Sequence, residues 1–221
     1  FSENVLDAID AFTLDLPDAS RLTGVPQDVQ DAAREAAQAA GVEGWRLSLK
    51  MPCYLPVMQY AEDRALRATL YRAYGTVASE HGEAALDNSA LIAESLALRA
   101  EEAQLLGFGT FAELRLETRM ARTSTEVTSF LRDLAGRARP YAQRDLAELR
   151  AFARDSLELD KVEPWDTPFV SEKLREARYA YSDDEVKRYF TEPRVLAGLV
   201  EVIEVLFDVR LHDQAVSRWH D

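Results

Sequence analysis

A mainly helical fold carrying a minor two-stranded β ribbon near the N-terminus is what the sequence predicts, on three observations. Ala, Leu, Glu and Arg outweigh Val, Ile and Thr, a balance that favours helix over sheet. Apolar residues recur at helical spacing from Pro56 almost to Phe207. Two short segments, around Phe12 to Leu16 and Trp45 to Leu49, alternate with the period of two expected of a half-buried strand.

Taken in order, Ser2 precedes a short helical run from Glu3 to Asp10. Phe12, Leu14 and Leu16 then alternate with Thr13 and Asp15, and Trp45, Leu47 and Leu49 do the same ahead of Pro52. The two segments are expected to pair as an antiparallel ribbon, with Pro26 to Ala40 as an Ala-rich helix between them that ends at Gly41. From Pro56 onward helix dominates. Leu66, Leu70, Ala73 and Val77 share one face of a run ending near Gly82, and Asp87 or Asn88 caps the next helix, which stops at Gly107. Thr110 to Met120 reads as a further short helix. The longest helix is expected from Ser124 to about Asp155, with Glu126 in its first turn and Val127, Phe130, Leu131, Leu134, Ala138 and Tyr141 on one apolar stripe. Pro140 lies inside it and predicts a kink, because it cannot donate to the carbonyl of Gly136. Leu146, Leu149 and Phe152 continue the stripe on a slightly rotated face.

Pro164-Trp165-Asp166-Thr167-Pro168 breaks the pattern and reads as a connection, with Asp166 or Thr167 capping a run through Tyr181. Ser182-Asp183-Asp184-Glu185 resembles a capping box opening a helix that ends near Phe190. Pro193 suits the first residue of a final helix, whose Val195, Leu196, Leu199, Ile203, Leu206 and Phe207 form a strong stripe. Val209 to Leu211 is expected to begin a strand. No internal repeat, low-complexity segment or Gly/Ser linker interrupts the 221 residues, so residues 1–221 are expected to act as one piece without an internal boundary.

Composition narrows the partners. With 47% apolar and 29% charged residues the chain is an ordinary globular one, long enough to bury a core. Lys plus Arg is 26 against 39 for Asp plus Glu, a net charge of −13, which repels nucleic acid. The most apolar window, Leu196 to Phe207, is interrupted by Glu201 and Glu204 and is shorter than the roughly 20 residues a membrane span needs. The single cysteine, Cys53, forms no internal disulfide and suits a reducing cytoplasm. Set between Pro52 and Tyr54 in an apolar run, it reads as a small core hydrophobe ahead of a nucleophile.

Residues that could carry chemistry each have a plainer reading. The three histidines, His81, His212 and His220, lack a second ligand at helical spacing, and the neighbours Asp213 and Asp221 point away from them on an extended backbone. Asp183-Asp184-Glu185 sits where a helix dipole favours acids, and Glu101-Glu102 supplies a solvated face. Tyr54, Tyr60, Tyr71 and Tyr74 could line a peptide groove or simply pack, and Trp165 is expected to anchor a loop. No Gly-rich phosphate loop or nucleophile elbow is present.

One stretch is more specific. Met51-Pro-Cys-Tyr-Leu-Pro-Val-Met-Gln-Tyr-Ala-Glu-Asp-Arg-Ala-Leu-Arg-Ala-Thr-Leu-Tyr-Arg-Ala-Tyr74 closely resembles a segment of the oligopeptidase A and thimet oligopeptidase family of zinc metallopeptidases. Phe1-Ser-Glu-Asn-Val-Leu-Asp-Ala8, Asp87 to Arg99 with Gly107-Phe108, Pro164-Trp165-Asp166 and Trp219-His220 resemble further landmarks in the same order. The resemblance implies a helical, two-lobed ellipsoid with a deep channel for short peptides and a zinc at its floor. That zinc is held by two histidines of a His-Glu-x-x-His helix and a downstream glutamate, with the motif's own glutamate activating the bound water.

No His-Glu-x-x-His pattern occurs in this chain, so no catalytic, cofactor-binding or metal-binding residue is assigned to it. The opening at Phe1 and the unfinished run after Trp219-His220 predict a piece of a larger enzyme, inactive alone, that forms scaffold and part of a channel wall. Its expected partners are the remainder of its own polypeptide, short peptides in the whole enzyme, and a second copy through exposed apolar surface. The alternative is a stand-alone helical interaction module derived from that family.

Overall fold

The computed structural model describes residues 1–180 and 186–212. Contacts divide the chain into two units, Phe1–Arg175 and Glu176–Asp221. The architecture is mainly helical with one two-stranded antiparallel sheet, as the composition predicts.

In the first unit, α1 (Ser2–Ala11) leads into β1 (Thr13–Leu16) and a 3-10 turn at Ala19–Leu22. Then come α2 (Gln27–Ala39), β2 (Trp45–Ser48), α3 (Met51–Tyr60) and α4 (Arg64–Gly75). The ribbon registers Leu14 against Leu47 and Asp15 against Arg46. Its alternation works as read: Leu16 and Leu47 face inward, while Asp15 and Arg46 meet on the outer face in a two-pronged pair of 2.7 and 2.8 Å. Val29, Ala33 and Ala37, one helical turn apart, bury one face of α2. They join a core of Leu16, Leu22, Val25, Leu47, Leu49, Val57, Met58, Leu66 and Leu70.

Gly44, in the connection from α2 to β2, has φ +100° and lies against the Leu16 carbonyl, 2.1 Å from where a Cβ would stand. Only glycine fits that backbone without strain. Gly44→Ala is therefore expected to cost about 2 kcal/mol, read as a lowered urea midpoint; an unchanged midpoint would contradict the close approach of this turn to β1.

Helix α3 starts at Met51, five residues ahead of the expected Pro56. Pro52 occupies the first turn, where its missing N–H is no loss. Pro56, one turn later, forfeits a single backbone bond, and burial of Val57, Met58 and Tyr60 outweighs it. Helix α4 ends at Gly75, short of the expected Gly82, because Ala78 turns left-handed at φ 49° and the chain reverses.

A 3-10 turn at Ala84–Leu86 precedes α5 (Ser89–Leu105). Of the two expected caps, Asp87 accepts the Ser89 N–H at 2.9 Å. Asn88 is buried and turns to α1, donating to the Phe1 carbonyl and accepting from Asn4. Gly107 (φ +82°) follows the end of α5, as expected. Helix α6 covers only Phe111–Leu116, opened by a capping box between Thr110 and Glu113.

Helix α7 runs Ser124–Leu157, through Pro140, and Thr123 rather than Ser124 caps it by accepting the Glu126 N–H. The C-terminal part of its apolar face, Leu149 and Ala153, packs on Phe169 and Val170 of α8 (Thr167–Tyr179), which follows a 3-10 turn at Pro164–Asp166. The N-terminal part is bare: Phe130, Leu131, Leu134 and Tyr141 are 66, 53, 52 and 62% exposed.

In the second unit, α9 (Glu192–Phe207) has Pro193 in its first turn and follows Thr191. Its stripe, including Leu196, Leu199 and Leu206, is exposed. The strand expected from Val209 does not form among the described residues. Asp208 turns left-handed at φ 50°, and the Leu211 N–H returns to the Glu204 carboxylate at 2.9 Å, closing the helix end. The expected capping box at Ser182 to Glu185 lies outside the described residues.

Candidate functional site

Helices α3 and α4 are joined by only three residues and set a row of rings side by side. Tyr54 of α3 stacks on Tyr74 of α4, centroids 4.6 Å apart. Tyr71, one turn earlier in α4, meets Trp165 at 6.2 Å and 60°. Tyr71 and Tyr74 are 39 and 38% exposed, and Trp165 is half-buried. Burial, with the neighbouring Tyr71 and Tyr74 phenols adding to it, raises the Tyr54 hydroxyl above its ordinary value, so it stays neutral. Trp165 also lines two surface hollows: one of about 410 Å3 with Arg64, Ala68 and Glu163, and one of about 610 Å3 with Ala68, Thr69, Tyr71, Arg72 and Thr76.

Tyr60 does not belong to this row. It is buried, and its hydroxyl donates to Glu172 at 3.1 Å, where Arg175 also binds. Three of the four tyrosines singled out by sequence thus come together with Trp165.

The row is fixed in place by a buried charge cluster that the sequence reading missed. Asp166 is fully buried and accepts from Arg67 Nη2 at 2.8 Å, from Arg64 Nη2 at 2.7 Å, and from the Glu163 N–H at 3.0 Å. Arg67, also buried, donates to the Ala61 carbonyl at 2.6 Å and covers the Phe169 ring at 4.1 Å. The available signal was an arginine at position 67 within the Leu66/Leu70 stripe, where an apolar residue is the usual occupant. Asp166 serves this cluster and the Glu163 turn rather than acting as a simple cap of α8.

The remaining candidates stay apart. His81 is exposed and borders a hollow of about 350 Å3 beside Glu83; His212 is exposed; His220 lies outside the described residues. Glu101 and Glu102 are exposed on α5, and Asp183 to Glu185 are not described. Cys53 is half-buried, receives the Ser48 N–H at 3.4 Å, and is pushed up by burial, so its thiol is protonated and a poor nucleophile. Among the described residues no three His, Cys, Asp or Glu side chains gather in an arrangement that could hold a metal. The described donors therefore do not fit a zinc site. No helix of the described residues is long and apolar enough to cross a membrane.

Comparison with known proteins agrees with the sequence landmarks. The model for peptidase family M3 matches residues 57–221. The chain is 43% identical over 223 residues to the oligopeptidase A of Haemophilus influenzae and likewise to that of Escherichia coli, covering 100% of this chain and 33% of each relative. It is 37% identical over 232 residues to an organellar oligopeptidase A, chloroplastic/mitochondrial, of Arabidopsis thaliana, covering 100% of this chain and 29% of that protein. The chain thus spans about a third of the length of the curated relatives it matches. With similarity running through the whole chain, from α1 to its last residues, this protein belongs to peptidase family M3.

Proposed function

We propose that residues 1–221 form a non-catalytic helical portion of a zinc-dependent oligopeptidase, supplying scaffold and part of the wall of a channel that admits short peptides. The observation that carries this reading is 43% identity over the whole chain to oligopeptidase A, of which the chain spans only about a third. The bare apolar faces of α7 and α9 support it, since surfaces of that kind are normally covered. In this reading the partner of those faces is the remainder of the same polypeptide, which holds the zinc. The single cysteine fits a reducing cytoplasm.

Reading the source gene a few hundred codons beyond Asp221 tests this directly. A His-Glu-x-x-His helix in frame is the expected result; a stop codon close to Asp221 would overturn the proposal in favour of a stand-alone helical interaction module. On the protein itself, the purified chain is expected to carry no stoichiometric zinc and to cleave no short peptide in a chelator-sensitive manner. Elemental analysis finding one zinc per chain would sink the non-catalytic reading.

A further inference from the structure

We propose that the hollow bounded by Tyr71, Arg72 and Trp165 is a peptide-docking subsite, which takes an aromatic or large aliphatic side chain with a carboxylate one or two residues away. The choice of a peptide as ligand rests on the channel-wall reading above. The subsite itself rests on three features of the site.

The first is shape. The hollow is about 610 Å3, within the roughly 300–1,000 Å3 of small-ligand sites. Small residues, Ala68, Thr69 and Gly75, leave room along α4, while the Tyr71 and Trp165 rings stand at 60° to one another as walls. An apolar side chain laid against this angled pair gains contact with both rings, which already touch each other at 6.2 Å.

The second feature is rigidity. Trp165 is flanked by Asp166, which is pinned by Arg64, Arg67 and the Glu163 N–H. The ring's backbone is therefore ordered before any ligand arrives, and little conformational freedom is lost on docking. Partly exposed aromatic side chains on a rigid support are the usual anchors of recognition sites.

The third is charge. Arg72 lines the same hollow, and its guanidinium has no counter-charge or hydrogen-bond partner among the described residues. The chain as a whole carries −13, so acids able to pair with Arg72 are plentiful, yet among the described residues none pairs with it. A planar guanidinium left open beside two rings matches a carboxylate held next to an apolar side chain. A metal is the wrong ligand, because the lining has no acid, His or Cys.

The test uses Trp165 fluorescence in the whole chain with Trp45→Phe and Trp219→Phe, so that one indole reports. The probes are acetyl-Phe-Glu, with its two carboxylates, and acetyl-Phe-Gln-amide, with none. A saturable change at millimolar acetyl-Phe-Glu is expected. Arg72→Gln, an exposed position, is expected to weaken that peptide about tenfold, as loss of a charge-assisted hydrogen bond does, and to leave the amide unaffected. Ala68→Leu, which fills the hollow, is expected to weaken both probes; its urea midpoint shows whether the fold is kept. No saturable change, or equal affinity for the two probes before and after Arg72→Gln, would overturn the subsite. The gene continuing to a zinc helix without such binding would remove the subsite and keep the channel reading; binding in a chain whose gene stops at Asp221 would do the reverse.

Discussion

Asp166→Ala is expected to lower the stability of the chain by about 3–5 kcal/mol, the range for removing one partner of a buried ion pair. The loss comes mainly from Arg67. With 1% of its surface exposed, its guanidinium would lose the carboxylate it pairs with among the described residues. The Ala61 and Glu62 carbonyls and the Phe169 ring would remain, and dipoles do not offset a full buried charge. Arg64 matters less, because its side chain is 43% exposed and water can take over. Against a usual total of about 5–15 kcal/mol, such a loss brings the first unit near unfolding. The urea midpoint at neutral pH measures it, and a drop worth under about 1 kcal/mol would show that the cluster is solvated. Replacing Asp166 and Arg67 together by Leu and Met is expected to recover most of the loss, since it removes both charges from the interior.

The same carboxylate gives the stability a pH dependence of known sign. Burial on its own would raise the Asp166 carboxyl, but hydrogen bonds from Arg64, the Glu163 backbone and Arg67 outweigh burial and hold it below the ordinary carboxylate range. A group lowered on folding contributes its full stabilisation above its unfolded value, near 4 for Asp, and loses it as pH falls through the folded value. The urea midpoint of the native chain is therefore expected to fall more steeply below about pH 4 than that of Asp166→Asn. Parallel midpoint curves for the two proteins would show that Asp166 does not govern the acid limb.

What could be read from sequence and what could not follows the range of the interactions. The ribbon was legible because alternation fixes which residues face inward, and Leu14 does pair with Leu47. Helix ends were less so. The start of α3 was hidden by two prolines whose local signal says turn and whose actual cost is one hydrogen bond. The early end of α4 depends on Ala78 adopting a left-handed backbone, which no local pattern announces. The aromatic row was partly visible, as tyrosines three apart on one helix, but its fourth ring, Trp165, is some ninety positions away and arrives through the Asp166 cluster. Long-range pairing of Asp166 with Arg64 and Arg67 leaves no periodic trace, only an arginine where a leucine would be ordinary. The lack of cover on α7 was not legible at all, because an apolar stripe states that a face is to be buried and not by what.

That bare face yields the last expectation, in which one substitution changes meaning with its surroundings. The apolar side of α7 is a single strip: Leu149 and Ala153 at one end are covered by α8, while Phe130, Leu131 and Leu134 at the other are more than half exposed. In the chain alone, Phe130→Glu gives up little burial and is expected to shift stability by less than about 0.5 kcal/mol, as surface changes do. It is also expected to reduce concentration-dependent self-association, measured by sedimentation velocity, because it breaks the apolar patch. In a complete M3 peptidase, where the proposed remainder of the polypeptide covers the strip, the same change would bury a carboxylate and empty a phenylalanine site. There it is expected to cost about 3–5 kcal/mol, the range for losing a buried Phe side chain, with the charge adding to it. An equal, small effect in both settings would mean that nothing covers α7 in the larger protein, and the strip would then belong to contacts between molecules. A large effect in the chain alone would mean that Phe130 is already packed. The contrast between settings thus tests whether the larger protein covers α7.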